Sequence, residues 1–345
     1  MISAKIITDS LNTAITLPNG KHPRITTMEL IFPRFILAEL NTHRMFSKNS
    51  ASSRAISFKK MVQSVMENPF IPIAWQKDHK GMQGTEYMNE NQSALATSYW
   101  LDARDEAVRI AKELNSGEVT KQLCNRLLEP FMWHKVLLTA TEWENFFYLR
   151  CPKYTMLYTH NGEERGKEVY RSKKDLMKAE NVSDVGVDWF KMNTGQAEIH
   201  MMALAEAMWD AYNESTPNKL KEGEWHIPFS DDLDEDGLKA TYGEEIAYEM
   251  MIKIATACCA RTSYTVVGEE GKVSNYENDI KLHDSLLISG HMSPFEHVAQ
   301  AMNEDDTYDA IPYPIERCKY PDGWSGNFCG FIQYRKTLPN ENRTS

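Results

Sequence analysis

The segment 25–39, ITTMELIFPRFILAE, restricts this chain most: an apolar run is broken by Pro33 and followed at once by a dense polar loop. The first part reads as a strand. Proline has no N–H to give to a sheet ladder, so Pro33 marks an edge, a bend or a helix start rather than a mid-sheet position. The residues beyond it run into a helix or a second strand. The loop 42–54, THRMFSKNSASSR, holds one His, two Arg, one Lys, one Asn and four Ser. Hydroxyls, an amide and guanidiniums are the groups that hold a phosphate or a planar hydrogen-bonding ring. Composition alone equally allows a capped loop with ordinary surface charges.

Periodicity predicts helices over 92–115, 120–128, 142–149, 196–212, 244–260 and 281–289. In the first, Ala107, Ile110, Ala111 and Leu114 make the apolar stripe, Asp102, Asp105 and Glu106 lie on the polar side, and Gly117 is the stop. The stretch 196–212 is apolar around most of its circumference and should be buried. Two polar stretches, 161–187 and 217–236, read as solvated insertions. We therefore expect a single catalytic domain over 1–345 with insertions at about 152–193 and 215–240. The tail 313–345 contains WSGNFCGFIQYRK, in which 328–334 reads as a short strand between turns.

A chain of 345 residues can bury a full core without disulfides. Its 38 basic and 49 acidic residues give a formal net charge of −11, which argues against an obligate nucleic-acid binder but not against a local phosphate pocket. The spacing of Cys124, Cys151, Cys258, Cys259, Cys318 and Cys329 fits no CxxC metal or redox unit, so buried thiols are expected. No basic-then-apolar leader opens the sequence and no run of 18 apolar residues exists, so a cytoplasmic protein that does not enter a membrane is expected.

Three further clusters carry polar chemistry. GHMSPFEH at 290–297 places His291 and His297 six apart, not at the i, i+4 spacing of a helical zinc site, and no metal is expected. Ser293, Pro294 and Glu296 there fit a capping box at a helix start. ENFFYLR carries Asn145 and Arg150. GQAEIH, at 195–200, opens the apolar helix, whose free N–H groups could meet an anion or a carbonyl-rich ring, while capping or solvation is the plainer role for Gln196 and Glu198. The sequence has no GxSxG elbow, phosphate-binding Walker loop or GxGxxG.

Together these clusters resemble the flavin-dependent thymidylate synthases. Against that family's signature RHRxxSxNExSxRY, residues His43, Arg44, Ser47, Asn49, Ser52 and Arg54 match. Thr42, Ser50 and Ala55 stand where Arg, Glu and Tyr are expected, and Ala38 and Glu39 replace a preceding Arg-Gln pair. ENFFYLR is similar to the family helix ending in FLxLR, GQAEIH to AQxEIR with His200 for Arg, and ARTSY (260–264) and GHMSPFEH to ARxSF and GHxSPFEH. The last two segments precede the signature in the family and follow it here, so the order resembles a circular permutation. Chain ends usually lie close on a domain surface, so such reordering is physically tolerable.

The resemblance implies an α+β fold with a mostly antiparallel central sheet and flanking helices, assembled as a homotetramer. It implies transfer of a one-carbon unit from methylenetetrahydrofolate to C5 of dUMP, giving dTMP, with FAD as cofactor and NADPH as reductant. By carry-over, His43, Arg44, Ser47, Asn49, Asn145, His291 and Ser293 would hold the flavin. Ser52, Arg54, Arg126 and Arg150 would bind the nucleotide, with Arg54, Arg150 and Ser52 closest to the chemistry. Ser52 is not expected to be a covalent nucleophile, because no neighbouring base is evident. Gln333 and Arg335 are expected to enter the site and supply the donors missing at Glu39 and Thr42. The departures leave open another pyrimidine nucleotide such as dCMP, a hydroxymethyl product, or a nucleotide-binding protein without catalysis.

Overall fold

The apolar run ends where its proline requires. In this computed structural model, which describes all residues except 18, 81–83, 85, 161–162, 182–192, 265–266, 268–274, 307–322, 340 and 342–345, the strand stops at Pro33. A 3₁₀ turn, Arg34–Ile36, and a short helix, Leu37–Leu40, then lead into the polar loop. In chain order the strands are β1 (Ser3–Asn12), β2 (Arg24–Pro33), β3 (Ser47–Ser50), β4 (Trp133–Ala140), the hairpin β5 (Tyr154–His160) and β6 (Glu163–Tyr170), β7 (Asn218–Leu220), β8 (Trp225–His226), β9 (Ala299–Ala301), β10 (Trp324–Ser325), β11 (Phe328–Cys329) and β12 (Phe331–Gln333). The main sheet runs β3-β4-β2-β1-β7. Every pairing in it is antiparallel except β1 with β7. The fold is thus mixed α+β, with smaller sheets beside the main one.

Strand alternation divides the sheet into two unlike faces. Met28, Leu30 and Phe32 of β2 and Val136, Leu138 and Ala140 of β4 bury one face against Met201, Leu204, Ala205 and Met208 of the helix Ile199–Glu214 and against Phe146 and Phe147. Each Val, Leu, Met or Phe side chain among these contributes roughly 1.5–3 kcal/mol when fully buried. The opposite face carries hydroxyls and is roofed by later segments. Thr27 and Thr139 bond each other at 2.7 Å, Thr27 bonds His226 at 2.8 Å, and Thr139 bonds His297 at 2.8 Å. His226 also meets Ser10 at 2.9 Å. Burial holds His226 and His297 neutral, each pushed down to about 3.

Several elements differ from expectation for local reasons. The helix at 120–128 is α only over Lys121–Cys124 and becomes 3₁₀ over Asn125–Phe131, because Pro130 opposes α continuation. In the helix Glu90–Ser116 the buried residues are Arg104, Val108 and Ala111, so the stripe is rotated and Leu114 stays 37% exposed. Arg104 can face inward because its guanidinium donates to the Val65 carbonyl at 3.0 Å. Gly330, at φ 74°, splits the tail strand into β11 and β12. The polar stretch near 217–236 is more than surface: β7 extends the main sheet and β8 brings His226 beneath it. Helices Phe58–Glu67, Lys173–Glu180 and Glu235–Tyr242 lie outside the expected set, although in the first Phe58, Met61, Val62 and Val65 repeat at i, i+3, i+4 and i+7 and pack into the core. Among the described residues no helix is long and apolar enough to cross a membrane.

Candidate active site

The polar loop leaves the sheet edge and is tied down at both ends. β3 pairs with β4 in the register Ser47↔Thr139 and Asn49↔Leu137. Past it, the Ser52 N–H donates to the Ser263 carbonyl at 3.0 Å, and the Ala55 and Ile56 N–H groups fold back onto Ser52. The wholly buried Asn125 donates to the carbonyls of Ser53 and Ile56, at 2.7 and 3.0 Å. The Asn49 amide donates to the Cys259 carbonyl at 3.2 Å. The signature loop therefore lies against ARTSY and the helix Glu244–Arg261, far away in sequence.

Between these segments is a cleft of about 390 Å³ lined by Arg34, Lys48, Asn49, Ser50, Ala51, Ser52, Ser53, Arg54, Arg126, Ser263 and Ser293. That size lies in the range of small-molecule sites, roughly 300–1,000 Å³. Four cationic residues, Arg34, Lys48, Arg54 and Arg126, are among its lining residues. Glu129 stands beside the lining residues: it accepts from the Ser53 hydroxyl at 2.6 Å and lies 3.8 Å from Arg34 and 3.7 Å from Arg126. Burial, and then the charge of Arg44, pushes the Lys48 ammonium down to about 8. Its Nζ donates to the carbonyls of Leu40 and His43, at 3.4 and 3.2 Å.

A second polar group gathers at the other end of the loop. Arg150, closing the helix Glu144–Arg150, donates from Nε to His43 Nε2 at 3.0 Å. Burial, then Arg150, then Lys48, lowers His43 to about 4, so its ring is neutral near pH 7. Burial, and then Glu198, raises Glu39. The start of the apolar helix is closed to an outside anion, because the Glu198 carboxylate accepts from the N–H groups of His200 and Met201 at 2.8 and 3.0 Å. The Ile73 N–H donates to His200 Nε2 at 3.0 Å, which leaves the ring proton on Nδ1, facing Glu198.

The remaining expected site residues are dispersed around these two groups. Ser47 is buried and bonded to Gln333 at 3.2 Å and to Asn327. Gln333 thus reaches the signature strand from behind and does not line the cleft. Arg335 is directed to Glu296 and Glu341, also outside the cleft. Ser293 lines the cleft, but the residue before the short 3₁₀ turn Ser293–Glu296 is Met292 and no side chain caps it; the carboxylate of the expected capping box pairs with Arg335 instead. His291 is exposed and bonded to Ser289 at 2.9 Å. Arg44 and Asn145 are exposed. Cys318 lies outside the described residues.

No family model matches the chain, and no curated protein does. Among solved structures it is similar to the UMP/dUMP methylase PolB from Streptomyces cacaoi, bound with 5-Br dUMP in one case and 5-Br UMP in the other. Identities are 12% and 13%, and TM-scores 0.39 and 0.40. Each match covers 62% of this chain, and 91% and 89% of the other. At that degree of likeness no residue correspondence follows.

A larger opening of about 520 Å³ is lined by Thr13, Ala14, Lys221, Glu222, Asn303, Glu304 and Asp305. It carries three carboxylates to one amine, and none of the polar motifs reaches it, so the cationic cleft is the better candidate. Arg34 and Lys48, which line that cleft, and Glu129 beside it were not singled out from the sequence. The signal for Arg34 was its place directly after the strand-ending Pro33 and before the loop. Glu129 stands three residues after Arg126, a spacing at which helical side chains meet.

Proposed function

We propose that this chain transfers a one-carbon unit from methylenetetrahydrofolate to C5 of dUMP with reduction to dTMP, as the flavin-dependent thymidylate synthases do. What carries the reading is the convergence on one cationic cleft of the signature loop, Arg126, Ser263 of ARTSY and Ser293 of GHMSPFEH. These segments match the resembled family in content but not in order, and they meet in space nonetheless. In this proposal the protein is cytoplasmic and works as an assembly of identical chains.

The donors of the cleft suit a phosphate-bearing ligand, whether nucleotide or flavin dinucleotide, and no aromatic ring is among its described lining residues. Arg44, Asn49 and Ser293 would hold FAD, and bound reduced flavin, replenished by NADPH, would supply the hydride that completes the methyl group. Arg54 and Arg126 would hold the phosphate or the ring carbonyls. A guanidinium at a pyrimidine carbonyl stabilises negative charge spreading from C5, which makes that carbon nucleophilic. Arg150, with neutral His43 as acceptor, would orient the nucleotide from the other end of the loop. Ser52 would donate a hydrogen bond rather than attack, its turn being held by Ser263.

Incubation with dUMP, methylenetetrahydrofolate, FAD and NADPH, followed by mass analysis of the nucleotide, tests this. A net gain of one carbon and two hydrogens is expected, and Arg54→Gln should lower turnover about a hundredfold. Ser50, standing where a carboxylate is expected, favours a second reading in which the substrate is dCMP or the product is hydroxymethyl. Turnover of dCMP, or an added oxygen, would select it. Nucleotide binding without turnover would leave a binding protein, and neither binding nor turnover would end the proposal.

A further inference from the structure

We propose that Arg34 binds the nucleotide phosphate as one of a pair of guanidiniums, with Arg126, aimed from a shared carboxylate. The inference rests on the nucleotide reading of the cleft and assigns it a residue of the segment 25–39 that matches no position of the signature. Three signature or lead-in positions at which the resembled family carries Arg, Gln and Arg are Ala38, Glu39 and Thr42 here. The cleft therefore needs donors from elsewhere. Gln333 and Arg335 do not line it, whereas Arg34 does.

The placement of Arg34 is set by the backbone. Pro33, at φ −65°, ends β2, and the Arg34 N–H donates to the Met132 carbonyl at 3.1 Å. The side chain is thereby anchored at the mouth of the sheet and is 23% exposed, partly desolvated yet reachable. Its Nη2 lies 3.8 Å from Glu129 Oε1, and Arg126 Nη1 lies 3.7 Å from the same oxygen. That oxygen is itself fixed by the Ser53 hydroxyl at 2.6 Å. Both cation distances exceed a hydrogen-bond length, so Glu129 draws the two forks together without occupying their donors. Neither guanidinium is hydrogen-bonded to a described side chain or carbonyl. Rigid planar forks with free N–H groups match the oxygens of a phosphate. With Lys48 and Arg54 among the described lining residues, these present more positive than negative charge to an entering dianion.

The test is equilibrium binding of dUMP, deoxyuridine and inorganic phosphate to the full chain and to Arg34→Gln, Arg34→Lys and a remote surface control, Arg109→Gln. Thermal unfolding curves verify that each variant is folded. We expect Arg34→Gln to weaken dUMP roughly ten- to hundredfold, the loss of a charged hydrogen bond, while deoxyuridine binding stays unchanged. Arg34→Lys keeps the charge but not the fork and should fall between. Arg109→Gln should match the parent. If the parent binds dUMP and Arg34→Gln binds it equally, the inference is overturned and the nucleotide reading stands. If phosphate binds in an Arg34-dependent way but dUMP binds no tighter than phosphate, the nucleotide reading fails and the role of Arg34 as an anion ligand stands. If the folded parent binds neither, both fall.

Discussion

Charge and burial meet most sharply at single histidines. His43 is held neutral by its surroundings, first by burial and next by Arg150. Replacing Arg150 with Gln removes a positive neighbour, so the His43 titration should rise from about 4 toward the ordinary range. An NMR pH titration of the ring reads this directly, and an unmoved midpoint would show that burial and Lys48 set it without Arg150. His134 is a different case: it is wholly buried, neither ring nitrogen has a partner among the described residues, and its titration is pushed down to about 3 by burial and then by Arg34. Its folded value lies below its unfolded one. Stability is therefore complete above about pH 6.5 and falls as acid protonates the unfolded chain first. His134→Leu removes that linkage and two orphaned polar atoms. It should cost nothing at pH 7.5, or stabilise by about 1 kcal/mol, with its advantage growing toward pH 5. Urea midpoints at the two pH values check it; an equal large loss at both would contradict the account.

Elements here are fixed by a few residues at their ends. The helix Ile199–Glu214 is legible from its apolar composition, but its start is set by Glu198, which caps two N–H groups and also holds His200. Glu198→Ala should destabilise the protein by about 1–2 kcal/mol, read from chemical denaturation. Glu198→Gln, which keeps an acceptor, should lose less. Gly330 determines where the tail strand breaks. It sits at φ 74°, and a Cβ there would come within 2.2 Å of Pro23 Cγ, a ring that cannot swing away. Gly330→Ala should therefore lower the melting temperature more than a change at Gly243, which has a similar positive φ but open space around it. Equal losses at the two glycines would mean that backbone conformation alone matters.

At the scale of the whole molecule, the C-terminal segments roof the sheet. Gln333 and Asn327 meet Ser47, and His297 meets Thr139, so strands from opposite ends of the sequence share one buried polar layer. That layer couples the tail to the cleft through β3. Gln333→Ala should raise deuterium uptake across 47–54 and weaken nucleotide binding severalfold, while the helix Glu90–Ser116, which packs elsewhere, stays protected. Unchanged uptake at 47–54 would separate the tail from the site.

The sequence by itself determined that Pro33 is no mid-sheet residue, that the stretch 196–212 is a buried helix, and where the clusters rich in phosphate-binding groups lie. These depend on local properties: the missing N–H of proline, side-chain period, and donor chemistry. Only tertiary structure decided which donors face the cleft. It directed Arg34 inward, withdrew Ser47 and Gln333 into a buried layer, and matched Arg335 with Glu296. A side chain's partner depends on which distant segment packs beside it, and no period or spacing along the chain encodes that.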